Sequence, residues 1–166
     1  MANELKLNHT VNDSTTQVGN CSATVIARTK NPMNSRVITT LELIYPRFIH
    51  SEFMTHRMFS RNASSSRAIP IHRLIEEATV TPTHWMPNGK GMVNNAEITD
   101  ATEVAKYEAY WELARTDSIS NALYLEELGL HKQIVNRLLE PFSFIKVVVT
   151  ATDWDNFFKL RLADDA

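Results

Sequence analysis

Two segments near the start of the chain carry the alternating, β-branched pattern of half-buried strands. They run from Ser22 to Arg28 and from Arg36 to Tyr45, and Asn31-Pro-Met-Asn34 between them supplies turn residues. Alternate residues from Val37 to Tyr45 fall on one face of the second segment. The pattern predicts a β-hairpin. The first twenty residues are polar and aperiodic, which indicates a flexible arm or an irregular strand.

After Pro46 the apolar spacing changes from two residues to that of a helix. It predicts a helix from Arg47 to about Ser60, in which His56 and Ser60 share a face. Asn62 to Ser66 are poor helix formers and are predicted to form the loop that leaves this helix. A short helix is predicted over Ile71 to Ala78.

The middle of the chain contains a long aperiodic stretch followed by a long periodic one. Thr81 to Asn95 holds prolines and glycines and predicts an ordered surface loop or lid. Asp100 and Glu103 then form a capping-box-like start, and helical spacing continues towards Gly129. The longer step between Ala114 and Ile119 leaves open one helix or two, broken near Ser118. The apolar stripe of this region fits either subunit assembly or the core equally well.

The last third predicts a helix, a strand and a helix, over His131 to Leu139, Phe142 to Thr150 and Asp153 to Leu162. With the preceding elements, this order predicts an α/β (α+β) fold. Its central sheet is mixed or antiparallel and is packed with helices, including one long helix near 100–129. We interpret residues 1–166 as a single domain.

Composition and charge exclude few functions. The chain has 17 basic and 19 acidic residues, a net charge of -2 and 43% hydrophobic residues, which is typical of a soluble globular protein. The single cysteine, Cys21, indicates a reducing compartment. Neither a run of about twenty apolar residues nor a signal-peptide core is present, so we expect a cytoplasmic protein that does not interact with membranes.

The segment from Thr55 to Pro70 carries the most specific chemistry in the chain. Its sixteen residues include three arginines, one histidine and four serines. Guanidinium groups form bidentate hydrogen bonds to phosphate, and small hydroxyl residues let backbone N–H groups approach the same oxygens. The segment predicts a site for a phosphate-bearing ligand, with a solvated helix end as the alternative.

Other candidate chemistry is weaker. The six histidines lack the spacing of metal ligands, so we predict no metal site. Cys21 has no identifiable base partner and is interpreted as a passive thiol, and Trp111 is interpreted as a packing residue. Arg137 and Arg161 fit surface charge and ligand binding equally well. Nucleic-acid binding is disfavoured because the basic region lacks interleaved aromatic residues.

The arginine- and serine-rich segment resembles the signature of the flavin-dependent thymidylate synthase family. That signature reads Arg-His-Arg, two residues, Ser, one residue, Asn, two residues, Ser, one residue, Arg. This chain has Thr55-His56-Arg57, Ser60, Asn62, Ser65 and Arg67, which is six of the seven residues at the same spacing. Two later blocks are similar as well. They are Arg137-Leu-Leu-Glu-Pro141 and Asn156-Phe-Phe-Lys-Leu-Arg161.

The resemblance implies synthesis of dTMP from dUMP. A methylene group would be transferred from methylenetetrahydrofolate to C5, with reduction by FAD that NADPH recharges. It also implies a homotetramer. The sequence of the segment is similar to that of a bacteriophage branch of the family, which would place the protein in the host cytoplasm. The alternatives are a related C5 modification of another pyrimidine nucleotide and a non-catalytic nucleotide-binding or assembly subunit.

The resemblance further implies a role for each matching residue. One group would bind the nucleotide phosphate, a second would bind FAD, and Arg161 would hydrogen-bond the pyrimidine. The first group is Ser65, Ser66, Arg67 and Arg137, and the second is His56, Arg57, Met58, Ser60, Asn62 and Asn156. Arg161 and Arg67 are the candidate catalytic residues, since Arg161 would offset negative charge that develops as C5 becomes nucleophilic.

The chain also departs from the family pattern. Thr55 replaces the first arginine of the signature, Ala63 stands where glutamate is common, and Glu52 stands where glutamine is usual. The family continues into further helices beyond the point that corresponds to Ala166. We therefore expect a catalytic domain that lacks the usual C-terminal helices.

Overall fold

A computed structural model describes residues 8–10, 14–89 and 96–162. The chain divides into two compact units, one formed by residues 1–64 and 145–166 and the other by residues 65–144. Within the described ranges there are six strands and five α-helices. The strands are β1 (Asn8–Thr10), β2 (Thr15–Val18), β3 (Cys21–Lys30), β4 (Val37–Pro46), β5 (Ser60–Ala63) and β6 (Phe144–Ala151). The helices are α1 (His50–Met54), α2 (Ile71–Glu76), α3 (Ala101–Glu127), α4 (Lys132–Val135) and α5 (Asp155–Arg161).

The sheet follows the order β1-β3-β4-β6-β5, and β2 also pairs with β3. Strands β3 and β4 form the predicted hairpin, with antiparallel pairing from Ser22 opposite Ile44 to Lys30 opposite Val37. Strand β5 pairs antiparallel with β6. Two short strands, β1 and β2, lie within the first twenty residues and both pair with β3. The predicted fold class, a sheet of antiparallel strands packed with helices, is confirmed.

The first unit has an aromatic core that the alternation of β4 helps to build. Buried Phe59, Val149 and Ala151 form its centre. Partly buried side chains surround them, namely Leu41, Leu43, Phe53, Trp154 and Phe157. Leu41 and Leu43 belong to the predicted apolar face of β4, so this face lies against the core as the period of two requires.

The predicted helix from Arg47 to Ser60 is wrong beyond its first half. A 3-10 helix over Arg47–Ile49 leads into α1, which ends at Met54, and turns follow. Ser60–Ala63 then form β5, which hydrogen-bonds to β6. His56 and Ser60 therefore share no helix face, and the predicted loop from Asn62 begins inside a strand. A free edge of β6 offers backbone partners that outweigh the weak helical preference of these residues.

The second unit is helical, and its core is apolar. Ile71, Leu74, Ala122, Val135 and Leu139 are buried together. Helix α2 matches the predicted helix but ends at Glu76. The predicted helix from His131 is shorter than expected, because α4 passes into a 3-10 helix over Asn136–Leu138.

Helix α3 is one continuous helix, which settles the question left open at Ser118. The Asp100 side chain accepts hydrogen bonds from the backbone N–H groups of Thr102 and Glu103, as the capping pattern predicts. Residues 81–89 form no helix or strand, and the rest of the predicted loop, 90–95, lies outside the described residues. No helix in the described ranges is both long enough and apolar enough to cross a membrane.

Candidate functional site

His56 and Arg161 meet in the first unit although 105 residues separate them in the chain. Arg161 Nη2 lies 2.8 Å from His56 Nε2. The same guanidinium lies over the Phe157 ring, 5.8 Å from its centroid. The His56 and Phe157 rings pack nearly perpendicular to each other, with their centroids 5.0 Å apart. The turn after α1 supplies the histidine, and α5 supplies the arginine and the phenylalanine. The structure thus joins the signature segment to the last sequence block.

The geometry fixes the form of the His56 ring. A guanidinium has only donors, so His56 Nε2 must be the acceptor and the ring must be neutral, with its proton on Nδ1. Partial burial of the ring lowers the pKa of His56, and the positive charges of Arg161 and Arg61 lower it further. The electrostatics therefore favour the same neutral form that the hydrogen bond requires.

The other predicted cofactor-binding residues are exposed on the first unit. Arg57 and Met58 follow His56 in the turn, and 79% of Met58 is exposed. Ser60 and Asn62 are exposed on one face of β5, and Asn156 is exposed in the first turn of α5. Among the described residues these five side chains form no hydrogen bond or ion pair, so the polar groups of all but Met58 are available to a ligand.

Arg61 has a structural role that sequence reasoning missed. Its Nη1 donates to the backbone carbonyl of Phe53 at 2.9 Å, and its guanidinium lies 5.9 Å from the centroid of the Phe53 ring. The residue therefore satisfies a carbonyl in the last turn of α1. Its position in β5, between exposed Ser60 and Asn62, directs it to the opposite face, and recognition of the strand would have shown this.

Ser66 and Arg137 meet in the second unit, and a carboxylate lies between them. The Ser66 hydroxyl donates to Glu140 Oε1, and Arg137 Nη1 lies 2.9 Å from the same oxygen. Ser66 is 2% exposed, whereas the Arg137 side chain is 57% exposed. Both residues were predicted to bind phosphate, and the structure brings them together around Glu140, which was not predicted.

Asn136 holds the backbone of the predicted phosphate-binding segment, which comprises Ser65, Ser66 and Arg67. Its Nδ2 donates to the carbonyls of Ser66 at 2.7 Å and Ile69 at 2.9 Å. Lys132 Nζ also donates to the carbonyl of Ala68 at 3.1 Å. Since Asn136 is fully buried, these bonds fix the loop to α4 and to the 3-10 helix that follows. Nothing in the sequence distinguishes Asn136, which follows the buried Val135, from an asparagine on the surface.

Ser65 and Arg67 face solvent at the start of the same segment. Both are exposed, and within the described ranges neither side chain has a hydrogen-bond or ion-pair partner. Ser66 is buried between them and begins the 3-10 helix Ser66–Ala68. The segment therefore presents one unpaired guanidinium and one unpaired hydroxyl to an incoming anion.

The remaining candidates behave as structural residues. Trp111 donates from Nε1 to the carbonyl of Val80 at 2.8 Å and packs against the edge of Phe142, as expected of a packing residue. Cys21 is a half-buried free thiol. The described residues contain no group of three or more histidines, cysteines and carboxylates that could hold a metal ion.

The signature is divided between the two units. Its residues up to Ser64 belong to the first unit, and Ser65 to Arg67 belong to the second. His56, Asn156 and Arg161 are brought onto the first unit, and Ser65, Ser66, Arg67 and Arg137 onto the second. The predicted cofactor group therefore lies within one unit and the predicted phosphate group within the other.

Comparison with solved structures adds an independent observation. The fold is shared with a pyrimidine-nucleotide methylase. The UMP/dUMP methylase PolB from Streptomyces cacaoi, bound with 5-Br dUMP, matches with a TM-score of 0.52 and 16% identity, over 69% of this chain and 49% of PolB. The same protein bound with 5-Br UMP matches with a TM-score of 0.50 and 14% identity, over 70% of this chain and 52% of PolB.

The chain therefore spans about half the length of the solved structures it matches. No protein-family model matches the sequence, and no curated protein matches it significantly. At this identity the comparison establishes a shared fold.

Proposed function

We propose that this protein modifies C5 of a pyrimidine nucleotide. The observation that carries the proposal is the contact between His56 and Arg161, which joins the signature segment to the last sequence block in a fold shared with a UMP/dUMP methylase. Two residues so far apart in sequence approach each other only if the fold requires it.

The more specific proposal is FAD-dependent synthesis of dTMP from dUMP, with methylenetetrahydrofolate as the carbon donor and NADPH as the reductant. It is supported by six signature residues at the correct spacing. A homotetramer, as in the family that the sequence resembles, is part of this proposal.

The residues of the first unit suit a flavin cofactor. Arg57 and Asn156 present polar groups that have no partner among the described residues and could bind phosphate or ring atoms, and Met58 presents an exposed apolar side chain. Trp154 Nε1 is buried and has no hydrogen-bond partner in the part of the chain that the structure describes, so the aromatic core of the first unit holds an unused donor there. A bound flavin would supply the reducing equivalents for the transferred one-carbon group.

The roles of the protein residues follow from their chemistry. Arg67 provides a charge-assisted fork for a phosphate, and Ser65 provides a hydroxyl beside it. Arg161 has further N–H groups besides the one that His56 accepts, so it can donate to a pyrimidine carbonyl. A fixed positive charge there would stabilise negative charge that develops on the ring during attack by C5.

The test is the flavin spectrum of the purified protein combined with a turnover assay. We expect a yellow protein, or uptake of added FAD, with a spectrum perturbed by dUMP. Tritium should be released from 5-tritiated dUMP in the presence of methylenetetrahydrofolate and NADPH. A parallel assay with 5-tritiated UMP identifies the preferred sugar. A protein that binds neither FAD nor either of the two nucleotides would refute the proposal.

A non-catalytic nucleotide-binding subunit is the second candidate. Thr55 removes one cation from the signature, and Glu140 occupies two predicted phosphate donors. Binding of dUMP without binding of FAD, and without tritium release, would favour this alternative.

A further inference from the structure

Glu140 lies on the donors that the proposed function assigns to phosphate. It is the first residue of a 3-10 helix, Glu140–Phe142, in the second unit. Its Oε1 accepts from the Ser66 hydroxyl and from Arg137 Nη1. The side chain is 24% exposed, so it is half-buried beside a serine that is almost fully buried.

A carboxylate and a phosphate compete directly for Ser66. A hydroxyl donates one hydrogen bond, so it cannot donate to Glu140 and to a phosphate oxygen at the same time. Arg137 has several N–H groups and could contact both anions, but two negative charges on one guanidinium repel each other. A phosphate that uses both residues must therefore displace the Glu140 carboxylate.

The charges around the segment show why a displaceable carboxylate matters. Arg67 is exposed and has no partner within the described ranges, and Arg137 is more than half exposed. Without Glu140, two guanidinium groups and a free hydroxyl would attract small anions of any kind. With Glu140 in place, a ligand must bind more favourably than a carboxylate that is already positioned.

We propose that Glu140 is a specificity-determining residue, an internal competitor that occupies the phosphate donors until a doubly charged phosphate monoester displaces it. The inference rests on the proposed function, because it assumes that Ser66 and Arg137 bind the nucleotide phosphate. Glu140 lowers the affinity for the nucleotide and lowers the affinity for singly charged anions more strongly.

The experiment compares the wild type with Glu140→Gln. The amide keeps the size and the oxygen of the side chain but removes its charge, so the fold should be retained. We expect about tenfold tighter binding of dUMP by calorimetry, because a charge-assisted bond no longer has to be broken. Binding of deoxyuridine, which lacks phosphate, should be unchanged, and chloride should become a measurable competitor of dUMP.

Two further variants make the result specific. Glu112→Gln removes the same charge from another carboxylate–arginine pair of the second unit, that of Glu112 with Arg115, and should leave dUMP binding unchanged. Glu140→Asp keeps the charge on a shorter side chain, so it should give a smaller gain than the glutamine variant.

The outcomes separate the inference from the proposed function. If the wild type binds dUMP and Glu140→Gln binds it equally or more weakly, Glu140 supports Arg137 and the inference is overturned while the proposed function stands. If neither protein binds dUMP, the wild-type measurement alone shows that the proposed function has failed, and the inference fails with it.

Discussion

At the level of single residues, the contact between His56 and Arg161 depends on the charge of the imidazole. Only neutral His56 can accept from the guanidinium. Burial and the charges of Arg161 and Arg61 lower the pKa of His56, so the ring remains neutral somewhat below its ordinary titration range. Acidification therefore removes the acceptor, and the orientation of Arg161 becomes sensitive to pH.

The lowered pKa of His56 predicts the direction of two pH effects. A group whose pKa is lower in the folded state than in the unfolded state stabilises the fold less as pH falls. The contribution of His56 to the free energy of unfolding should be complete above about pH 6.5, which is the pKa of the ring in the unfolded chain. It should be lost as pH falls through the lowered pKa of the folded state. Proton NMR of the histidine rings should show His56 titrating below an unperturbed histidine.

The NMR experiment has a matched pair of variants. Arg161→Gln removes a charge that lowers the pKa of His56, so the titration should move upwards. Lys159→Gln removes the same charge from an exposed position on α5 and should leave the titration unchanged. An unchanged His56 titration in Arg161→Gln would contradict the contact.

Arg67 provides the second prediction at this scale. Its guanidinium is exposed and has no partner among the described residues, so Arg67→Ala should not affect folding. If it binds the phosphate, affinity for dUMP should fall by roughly 10- to 100-fold, since a charge-assisted contact is lost. Arg73→Ala, at an exposed position on α2, is the control and should bind dUMP normally. If calorimetry gives wild type and Arg67→Ala the same affinity for dUMP, Arg67 does not bind the phosphate.

At the level of elements, the predictable parts of the fold carried local signals. The hairpin of β3 and β4 follows from alternation and turn residues, and α3 follows from Asp100 and its spacing. Strand β5 had no such signal, because Ser60–Ala63 contains one short apolar residue and pairs with β6 through its backbone. Because β5 was not predicted, the role of Arg61, which lies in that strand, was not predicted either. Glu140 was missed because a carboxylate near an arginine is usually surface charge, and only the fold brings Ser66 to it.

The start of α3 gives a prediction about stability. Asp100 accepts two backbone hydrogen bonds, so Asp100→Ala leaves two N–H groups without this partner. We expect a loss of about 1 kcal/mol in the free energy of unfolding, measured by urea denaturation. Asp117→Ala, at an exposed position within the helix, should be neutral or slightly stabilising because alanine is the better helix former. Equal stability of Asp100→Ala and wild type would show that the cap contributes little.

At the level of the whole molecule, α3 supplies two separate apolar faces. Ile119, Ala122 and Leu125 pack into the core of the second unit. Tyr110, Leu113, Tyr124 and Leu128 fall on another face by helical spacing, and their exposed fractions range from 54% to 74%. The part of the sequence-predicted stripe at Ile119, Ala122 and Leu125 therefore packs in the core, and a subunit contact through this helix would use the other face.

This second face makes the proposed homotetramer testable. Another copy of the chain is the occupant that we expect, because these four large apolar side chains are exposed on one helical face and exposed apolar surface is typical of an interface. Light scattering should give a mass of about 76 kDa, four times the 18.9 kDa chain.

Tyr110→Lys should lower that mass without changing the circular dichroism spectrum, because Tyr110 is 74% exposed and is not part of the core. Glu108→Lys, an exposed charge reversal on the same helix, should leave the mass unchanged if the contact depends on the apolar face. A monomeric wild type at micromolar concentration would contradict the tetramer, and a tetramer that survives Tyr110→Lys would place its contacts elsewhere.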